Sequence, residues 1–186
     1  MKTTTMLLTA ALCSMIAAAG CEKKPAPAPT KTTSTGTTAP TTGASLIPAG
    51  FFLTAAPEGA KPVEEVKAAT PKVGDTVAIS GRVGGSRNPF VDGRAVFTLM
   101  GPKLKACSDI EGEGCKYPWD YCCEKPADIA ASAATIQVVD ATGAPLRTNL
   151  KGEHGIQELS KITVVGKVAQ IDGPNIVINA TGMHVN

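Results

Sequence analysis

Two stretches of the chain, Val77-Ala-Ile-Ser-Gly-Arg-Val83 and Ile162-Thr-Val-Val-Gly-Lys-Val168, decide its fold. In each of them β-branched residues recur at every second position, which is typical of a strand with one buried face. Each also carries a glycine at the same place, Gly81 in the first and Gly166 in the second. A glycine inside a strand marks a sharp bend or the close approach of another backbone. The two stretches therefore predict long, bent strands.

Shorter runs elsewhere in the chain extend this pattern. With the two stretches above, they predict five strands, over Asp75–Val83, Ala95–Leu99, Thr135–Val139, Ile162–Ile171 and Asn175–Ala180. Asp-Gly pairs at 92–93 and 172–173 suit tight turns between strands. Helical patterns are brief, and the predicted helices are Pro62–Ala69, Pro126–Ala133 and, as a short helix or turn, Ile156–Lys161. The domain is therefore predicted to be all-β.

The order of these strand motifs carries a family resemblance. Gly-Arg-Val, Phe-x-Leu, Gln-Val-Val and Val-x-Gly-x-Val follow one another between about residues 75 and 182. This order resembles the OB-fold of the tRNA-anticodon/helicase type. The resemblance implies a five-stranded Greek-key barrel that binds its ligands on the face of strands 2 and 3 and the nearby loops. It implies no particular ligand, because the fold hosts many functions.

The first part of the chain has the pattern of an export signal. Lys2 precedes an apolar run, Met6 to Gly20, which is too short for a membrane-spanning helix. The sequence Ala18-Ala19-Gly20-Cys21 resembles the lipobox of bacterial lipoproteins, with Ala18 where Leu is usual. That resemblance implies cleavage before Cys21, lipidation of Cys21 (palmitate among the chains) and a membrane anchor in the cell envelope, and Glu22 favours the outer membrane. The alternative is an ordinary signal peptide cut at an Ala-x-Ala site, with Cys21 a stray thiol.

The composition changes along the chain and predicts three parts. Residues 1–20 form the signal peptide. Residues 21–45 are rich in Pro and Thr and have no large apolar side chain, so they are predicted to form a disordered tether. Residues 46–186 form the OB-type domain. With its Pro-Trp-Asp-Tyr-Cys-Cys segment, the chain also resembles a group of planctomycete-type lipoproteins, and this resemblance implies no activity.

Four cysteines lie in an insertion between predicted strands 2 and 3, over residues 100–134. In an exported domain, Cys107, Cys115, Cys122 and Cys123 most simply form two disulfides. Cys122 and Cys123 are neighbours and would strain a bond between them, so Cys107 and Cys115 are each predicted to pair with one of the two. A tetrahedral zinc site and free or redox-active thiols remain alternatives, although no Cys-x-x-Cys pair is present. The first interpretation is therefore two disulfides, without a bound metal.

The sequence offers few residues for catalysis, and we predict neither a catalytic residue nor a cofactor. Its two histidines are far apart: His154 lies in a polar loop and His184 near the end of the last predicted strand. No nucleophile motif such as Gly-x-Ser-x-Gly and no phosphate-binding glycine loop is present. A noncatalytic binding or assembly module is the predicted role.

The predicted binding surface is the loop after the first barrel strand together with the insertion. Its candidate ligand-binding residues are Arg82, Arg87, Phe90, Arg94 and Trp119, which offer cations and rings for stacking. In the alternative interpretation Phe90 caps the barrel and the arginines form ion pairs with Asp92, Asp120 or Glu124. If the disulfides form, Trp119 is expected to pack over the sulfurs or onto the barrel.

The net charge of the predicted domain indicates which kinds of partner are favoured. Residues 46–186 contain 14 Lys and Arg against 15 Asp and Glu, a net charge of −1. Affinity for nucleic acid comes mostly from neutralising phosphates, which this balance disfavours. The predicted partners are therefore the membrane, through the lipid anchor, and an envelope protein or glycan, with single-stranded nucleic acid as the alternative that the fold implies.

Overall fold

The computed structural model of the chain describes residues 46–186, so Cys21 and the predicted signal peptide and tether lie outside the described residues. The strands are β1 (Lys61–Pro62), β2 (Thr76–Val83), β3 (Val96–Met100), β4 (Ala133–Gln137), β5 (Lys161–Asp172) and β6 (Asn175–Val185). The helices are α1 (Val63–Ala68), α2 (Pro126–Ser132) and two short 3-10 helices, Cys107–Asp109 and Glu153–Gly155.

Five of the strands close into a barrel. β2 pairs antiparallel with β3 and with β5, β3 pairs antiparallel with β4, β4 pairs parallel with β6, and β6 pairs antiparallel with β5. The ring therefore runs β2-β3-β4-β6-β5 and back to β2. The predicted five-stranded OB-type barrel is confirmed. The two-residue strand β1, which pairs parallel with β2, was not predicted.

The barrel interior is filled by alternate residues of its strands. Most are β-branched, and each fully buried side chain of this size contributes about 1.5–3 kcal/mol. Phe97 is the largest of them, and its ring lies 6.0 Å from that of Phe90. The fully buried strand residues include Ile79, Val83, Phe97, Leu99, Ile136, Ile162, Val164 and Ile178.

The two strand glycines lie where backbones come close. A Cβ atom on Gly81 would collide with the carbonyl oxygen of Met100 and lie 2.8 Å from Leu99 Cγ. Gly166 lies at a register shift between β5 and β6, and a Cβ atom there would collide with the carbonyl oxygen of Asn179. Such an irregularity bends a strand and increases its twist. The close approach of backbones is therefore present at both glycines, and the expected bend is supported at Gly166.

The observed bounds of most predicted elements lie within two residues of the prediction, and two regions differ further. β6 extends five residues beyond the predicted Ala180, to Val185. Of the short helix or turn predicted at Ile156–Lys161, a turn at Glu158 and Leu159 is present. Leu159 has a φ of 66°, outside the right-handed helical region, and its N–H donates to the Val83 carbonyl, as that of Val83 does to Ser160. This segment therefore extends the sheet hydrogen bonding of β2.

Helices α1 and α2 are held together by a lysine. The last carbonyls of a helix have no partner within it. Lys67 Nζ of α1 donates to the carbonyls of Ala130 and Ala133 at the end of α2, at 2.6 and 2.9 Å. Burial lowers the pKa of Lys67. A cation at this helix end also suits the helix dipole.

The first described residues join the last strand. The N–H of Leu53 donates to the Met183 carbonyl at 2.7 Å, and the N–H of Met183 donates to the Phe51 carbonyl at 2.9 Å. Residues 51–53 thus run along the end of β6. Within residues 46–186, none of the helices has the length and apolar character needed to cross a membrane.

Candidate functional site

The insertion packs on one side of the barrel through a second small core. Tyr121 is 1% exposed and forms this cluster with Met100 and Ala106. Its ring also lies against the residue that follows β2, because a Cβ atom on Gly84 would be 3.1 Å from Tyr121 Cε2. Gly84 therefore leaves the space that the tyrosine ring fills. This cluster positions the two residues that follow, Cys122 and Cys123.

An ion pair makes a second attachment. Arg82 of β2 donates to both carboxylate oxygens of Asp109 in the insertion and lies 3.4 Å from the Tyr121 hydroxyl. Hydrogen bonding to Arg82 lowers the pKa of Asp109, and Asp109 in turn raises the pKa of Arg82. The same carboxylate accepts the Ala106 N–H at 3.1 Å. Arg82 is thus engaged with Asp109 rather than with Asp92, Asp120 or Glu124.

Short local structures bring the four cysteines together. Cys107 begins a 3-10 helix, and its N–H donates to the Asp120 carbonyl at 2.9 Å. Cys122 and Cys123 occupy the centre of a tight turn, which the Glu124 N–H closes onto the Tyr121 carbonyl at 2.9 Å. The Sγ atoms of Cys107, Cys122 and Cys123 all lie within 4.8 Å of one another.

Cys122 stands at the centre of the sulfur cluster. Its Sγ lies 3.5 Å from Cys107 Sγ and 3.8 Å from Cys115 Sγ. The Cys123 thiol instead donates to Glu113 Oε2 at 3.5 Å. No sulfur–sulfur bond joins these four residues in the structure, and the predicted disulfide pairing stays a prediction. Both predicted partners, Cys107 and Cys115, approach Cys122, and neither pair is at the distance of about 2.05 Å that a disulfide requires.

Two thiols of this cluster, Cys107 and Cys123, have a raised pKa in the absence of a bound ion. Burial, followed by hydrogen bonds with Cys122 and Cys115, raises the pKa of Cys107 to about 12. The hydrogen bond with Glu113 is the main cause that raises the pKa of Cys123 to about 11. A reactive cysteine has a lowered pKa, because the thiolate is the nucleophile. These two residues therefore lack the character of redox nucleophiles.

Aromatic rings of the insertion meet the β2–β3 loop. The Arg87 guanidinium lies over the Tyr117 ring, 4.9 Å from its centre, and Trp119 Nε1 donates to the Arg87 carbonyl at 3.0 Å. The Gly85 N–H donates to the Trp119 carbonyl at 3.2 Å. The structure thus brings Arg87 and Trp119 together, since Trp119 of the insertion packs against the β2–β3 loop. The rings of Tyr117 and Trp119 are both partly exposed.

The other two predicted residues lie around a separate depression. Phe90 packs against Phe97 of the core, as the alternative interpretation expected, and Lys151 Nζ lies 6.0 Å from its ring centre. Arg94 is exposed and lines the same depression, together with Asn149. Phe90 and Arg94 are therefore neighbours at one loop surface, while Arg82 is attached to the insertion.

A groove of about 560 Å³ lies where β2, the start of β5 and the insertion meet. Met100 and Leu104 provide apolar lining, and Lys105, Lys161 and Arg82 provide positive charge. Within residues 46–186, Asp109 is the one Asp or Glu that lines it. Since Asp109 is paired with Arg82, the groove offers two lysines to a ligand.

Both histidines lie against the first described segment. The His154 ring stacks on Phe52, with 3.8 Å between the ring centres. His184 Nδ1 lies 3.0 Å from the Leu53 carbonyl oxygen. His184 is in β6, as predicted. These contacts give both rings packing roles at residues 52 and 53.

Sequence reasoning missed four residues of this region: Asp109, Tyr121, Lys105 and Lys161. The partner of Arg82 lies 27 positions away, and pairing across an insertion depends on how the insertion folds. One feature of the sequence could have pointed to two of these residues. Asp109 and Tyr121 are each within two residues of a cysteine that the cluster uses.

Comparison with known proteins gives one solved structure to describe. No protein-family model matches the chain, and no curated protein matches it. An aspartyl-tRNA synthetase from Leishmania major Friedlin is similar over 74% of this chain, with 12% sequence identity and a TM-score of 0.38. The chain spans about a quarter of the length of that synthetase, since the similarity covers 24% of it.

Proposed function

We propose that this chain is a lipid-anchored protein of the cell envelope, whose OB-type barrel is a noncatalytic binding or assembly module for a protein or glycan. The groove at the junction of the barrel and the insertion carries this proposal. It combines apolar lining from Met100 and Leu104 with the two lysines, Lys105 and Lys161. Concave sites with mostly apolar walls and a few convergent polar groups are typical of ligand binding.

The charge of the groove indicates which partner fits it. Lys105 is exposed and Lys161 is exposed, while the nearest carboxylate is bound to Arg82. An acidic segment of a protein, or an anionic glycan, would complement this surface. The aromatic rings of Tyr117 and Trp119, on the same insertion, add flat surfaces suited to stacking on a sugar or a side chain.

Crosslinking in intact cells tests the use of the groove. A photoreactive residue at position 105 is expected to give a discrete crosslinked species, because that side chain lines the groove. Position 72 is the matched control, since Lys72 is an exposed lysine that does not line it. Equal products at both positions, or none at 105, would contradict the proposal. Sedimentation with purified cell-wall glycan extends the test to a glycan partner.

Nucleic acid is the alternative partner, and titration separates it from the first. A single-stranded DNA oligonucleotide at physiological salt is expected to bind weakly and without saturation, because the described domain has a net charge of −1. Tight, saturable binding that weakens when Lys105 and Lys161 are replaced with glutamate would make nucleic-acid binding the favoured function.

The lipid anchor predicts an all-or-none change in location. Each buried methylene of an acyl chain contributes about 0.8 kcal/mol, so several chains hold a protein firmly at a membrane. Cys21→Ser is therefore expected to move the protein from the membrane fraction to the soluble fraction on cell fractionation. Cys13→Ser is the control, because Cys13 lies within the predicted signal peptide. A Cys21→Ser protein that stays at the membrane would rule out this anchor.

A further inference from the structure

The four cysteines of the insertion share one centre. Cys122 Sγ has two sulfur neighbours, Cys107 at 3.5 Å and Cys115 at 3.8 Å, and Cys123 Sγ lies within 4.8 Å of both Cys107 and Cys122. A disulfide joins sulfurs in pairs. A sulfur with several near sulfur neighbours is instead the pattern expected around a single bound ion.

The distances agree with one kind of ion. Zinc binds thiolate sulfur at about 2.3 Å in a tetrahedral arrangement, which places the sulfurs about 3.8 Å from one another. The two distances from Cys122 to its neighbours, 3.5 and 3.8 Å, are close to that value. Cys107, Cys122 and Cys123 form one mutually close set of sulfurs, and Cys115 joins it through Cys122.

We propose that Cys107, Cys115, Cys122 and Cys123 bind one Zn²⁺ ion in a closed, structural site. Four thiolates suit a soft or borderline cation such as zinc, and four protein ligands leave no open position for chemistry. This function goes beyond partner binding. It concerns the folding of the insertion itself, and it does not depend on what occupies the groove.

The surroundings explain what the ion contributes. The apolar cluster under the insertion has only three buried members, Met100, Ala106 and Tyr121. The cysteines extend from the 3-10 helix at Cys107 to the turn at Cys122 and Cys123, so a shared ion joins the two ends of the segment. Zinc binding therefore stabilises a loop that has little core of its own.

The spacing of the cysteines did not show this site, because the cysteines do not form two Cys-x-x-Cys pairs. The tight turn at Cys122 and Cys123 brings the sulfurs together without such pairs. Its two central residues, Cys122 and Cys123, place adjacent sulfurs within 4.8 Å of each other and of Cys107. Cys115 completes the set from the loop between the 3-10 helix and the turn.

Native mass spectrometry of the full chain, purified without reductant or chelator, tests the site. About one zinc per chain is expected, with Cys107, Cys115, Cys122 and Cys123 all alkylatable after its removal. Two missing pairs of hydrogens and no metal would mean two disulfides and would overturn the proposal. Four free thiols that take up no zinc when ZnCl₂ is titrated would overturn it as well.

Replacement of single cysteines with serine identifies which of them bind the ion. Cys107→Ser and Cys115→Ser are each expected to lower zinc content to below about a tenth of an equivalent, because a three-thiolate site binds more weakly. Glu113→Gln is the matched control, since its carboxylate contacts Cys123 but is not a ligand in this proposal. Titration of the wild-type chain with Co²⁺ gives a readout independent of variant folding, as thiolate coordination produces intense visible absorption. Zinc retained at full occupancy in both cysteine variants would disprove the assignment.

Discussion

Replacing Gly166 with alanine is expected to lower the free energy of unfolding by about 3 kcal/mol or more, at the upper end of the cost of overpacking. The added Cβ atom would collide with the Asn179 carbonyl oxygen and lie 2.7 Å from Ile178 Cγ2 and 3.0 Å from Ala180 Cα. Two of these three atoms belong to the backbone of β6, so no side-chain rotation relieves the clash. β5 and β6 must separate, and the closure of the barrel depends on both strands.

Urea unfolding of the full chain measures this effect, with Gly114→Ala as the matched control. Gly114 has no atom within 4 Å of the Cβ position, and it is not among the residues with positive φ. Its substitution should change the free energy of unfolding by less than about 0.5 kcal/mol. If Gly166→Ala were equally harmless, the close approach of β5 and β6 at this position would be wrong.

The second large effect is expected at Tyr121, which we predict to hold the insertion rather than the barrel. Truncating a fully buried aromatic residue to alanine costs about 3–5 kcal/mol. Tyr121 belongs to the small cluster with Met100 and Ala106, separate from the barrel core. Tyr121→Ala is therefore expected to unfold the insertion while the barrel stays intact, since contiguous parts of a protein can open independently.

Amide hydrogen exchange distinguishes local from global loss. The amides of Cys107, Ser108 and Asp120, which are hydrogen bonded within the insertion, should exchange faster in Tyr121→Ala, while those of β5 should not. Tyr121→Phe is the control. It removes only the hydroxyl that lies 3.4 Å from Arg82, and one such bond contributes about 1 kcal/mol. Equal acceleration in β5 would show that the insertion and the barrel unfold together.

The barrel could be predicted because its strands follow the simplest rule of sheet structure. Ile79 and Val83, like Ile162 and Val164, recur at even spacing and are all buried. The end of β6 could not be predicted in this way. The irregular pairing of β5 and β6 after Val165 disturbs the alternation, so that Gly182 and Met183 are both buried. The alternation of buried and exposed residues, from which strands are predicted, breaks down wherever a strand bends.

The candidate site was predictable in its composition but not in its geometry. An even set of cysteines in one insertion indicated that the four sulfurs would meet. Which sulfur stands at the centre depends on the turn at Cys122 and on the 3-10 helix at Cys107, and both are local structures without a strong sequence signal. The pairing of Arg82 with Asp109 is likewise a consequence of tertiary packing, which no spacing rule contains.

The last strand has a consequence for the order of assembly. β6 lies between β4 and β5 in the ring and also pairs with residues 51–53. Until residues 175–185 are in place, one edge of β4 and one edge of β5 have no partner, and neither do residues 51–53. Unpaired strand edges are templates for association with other chains. The folding domain is therefore most exposed to aggregation while β6 is unpaired, and the docking of that single strand ends the exposure at three places.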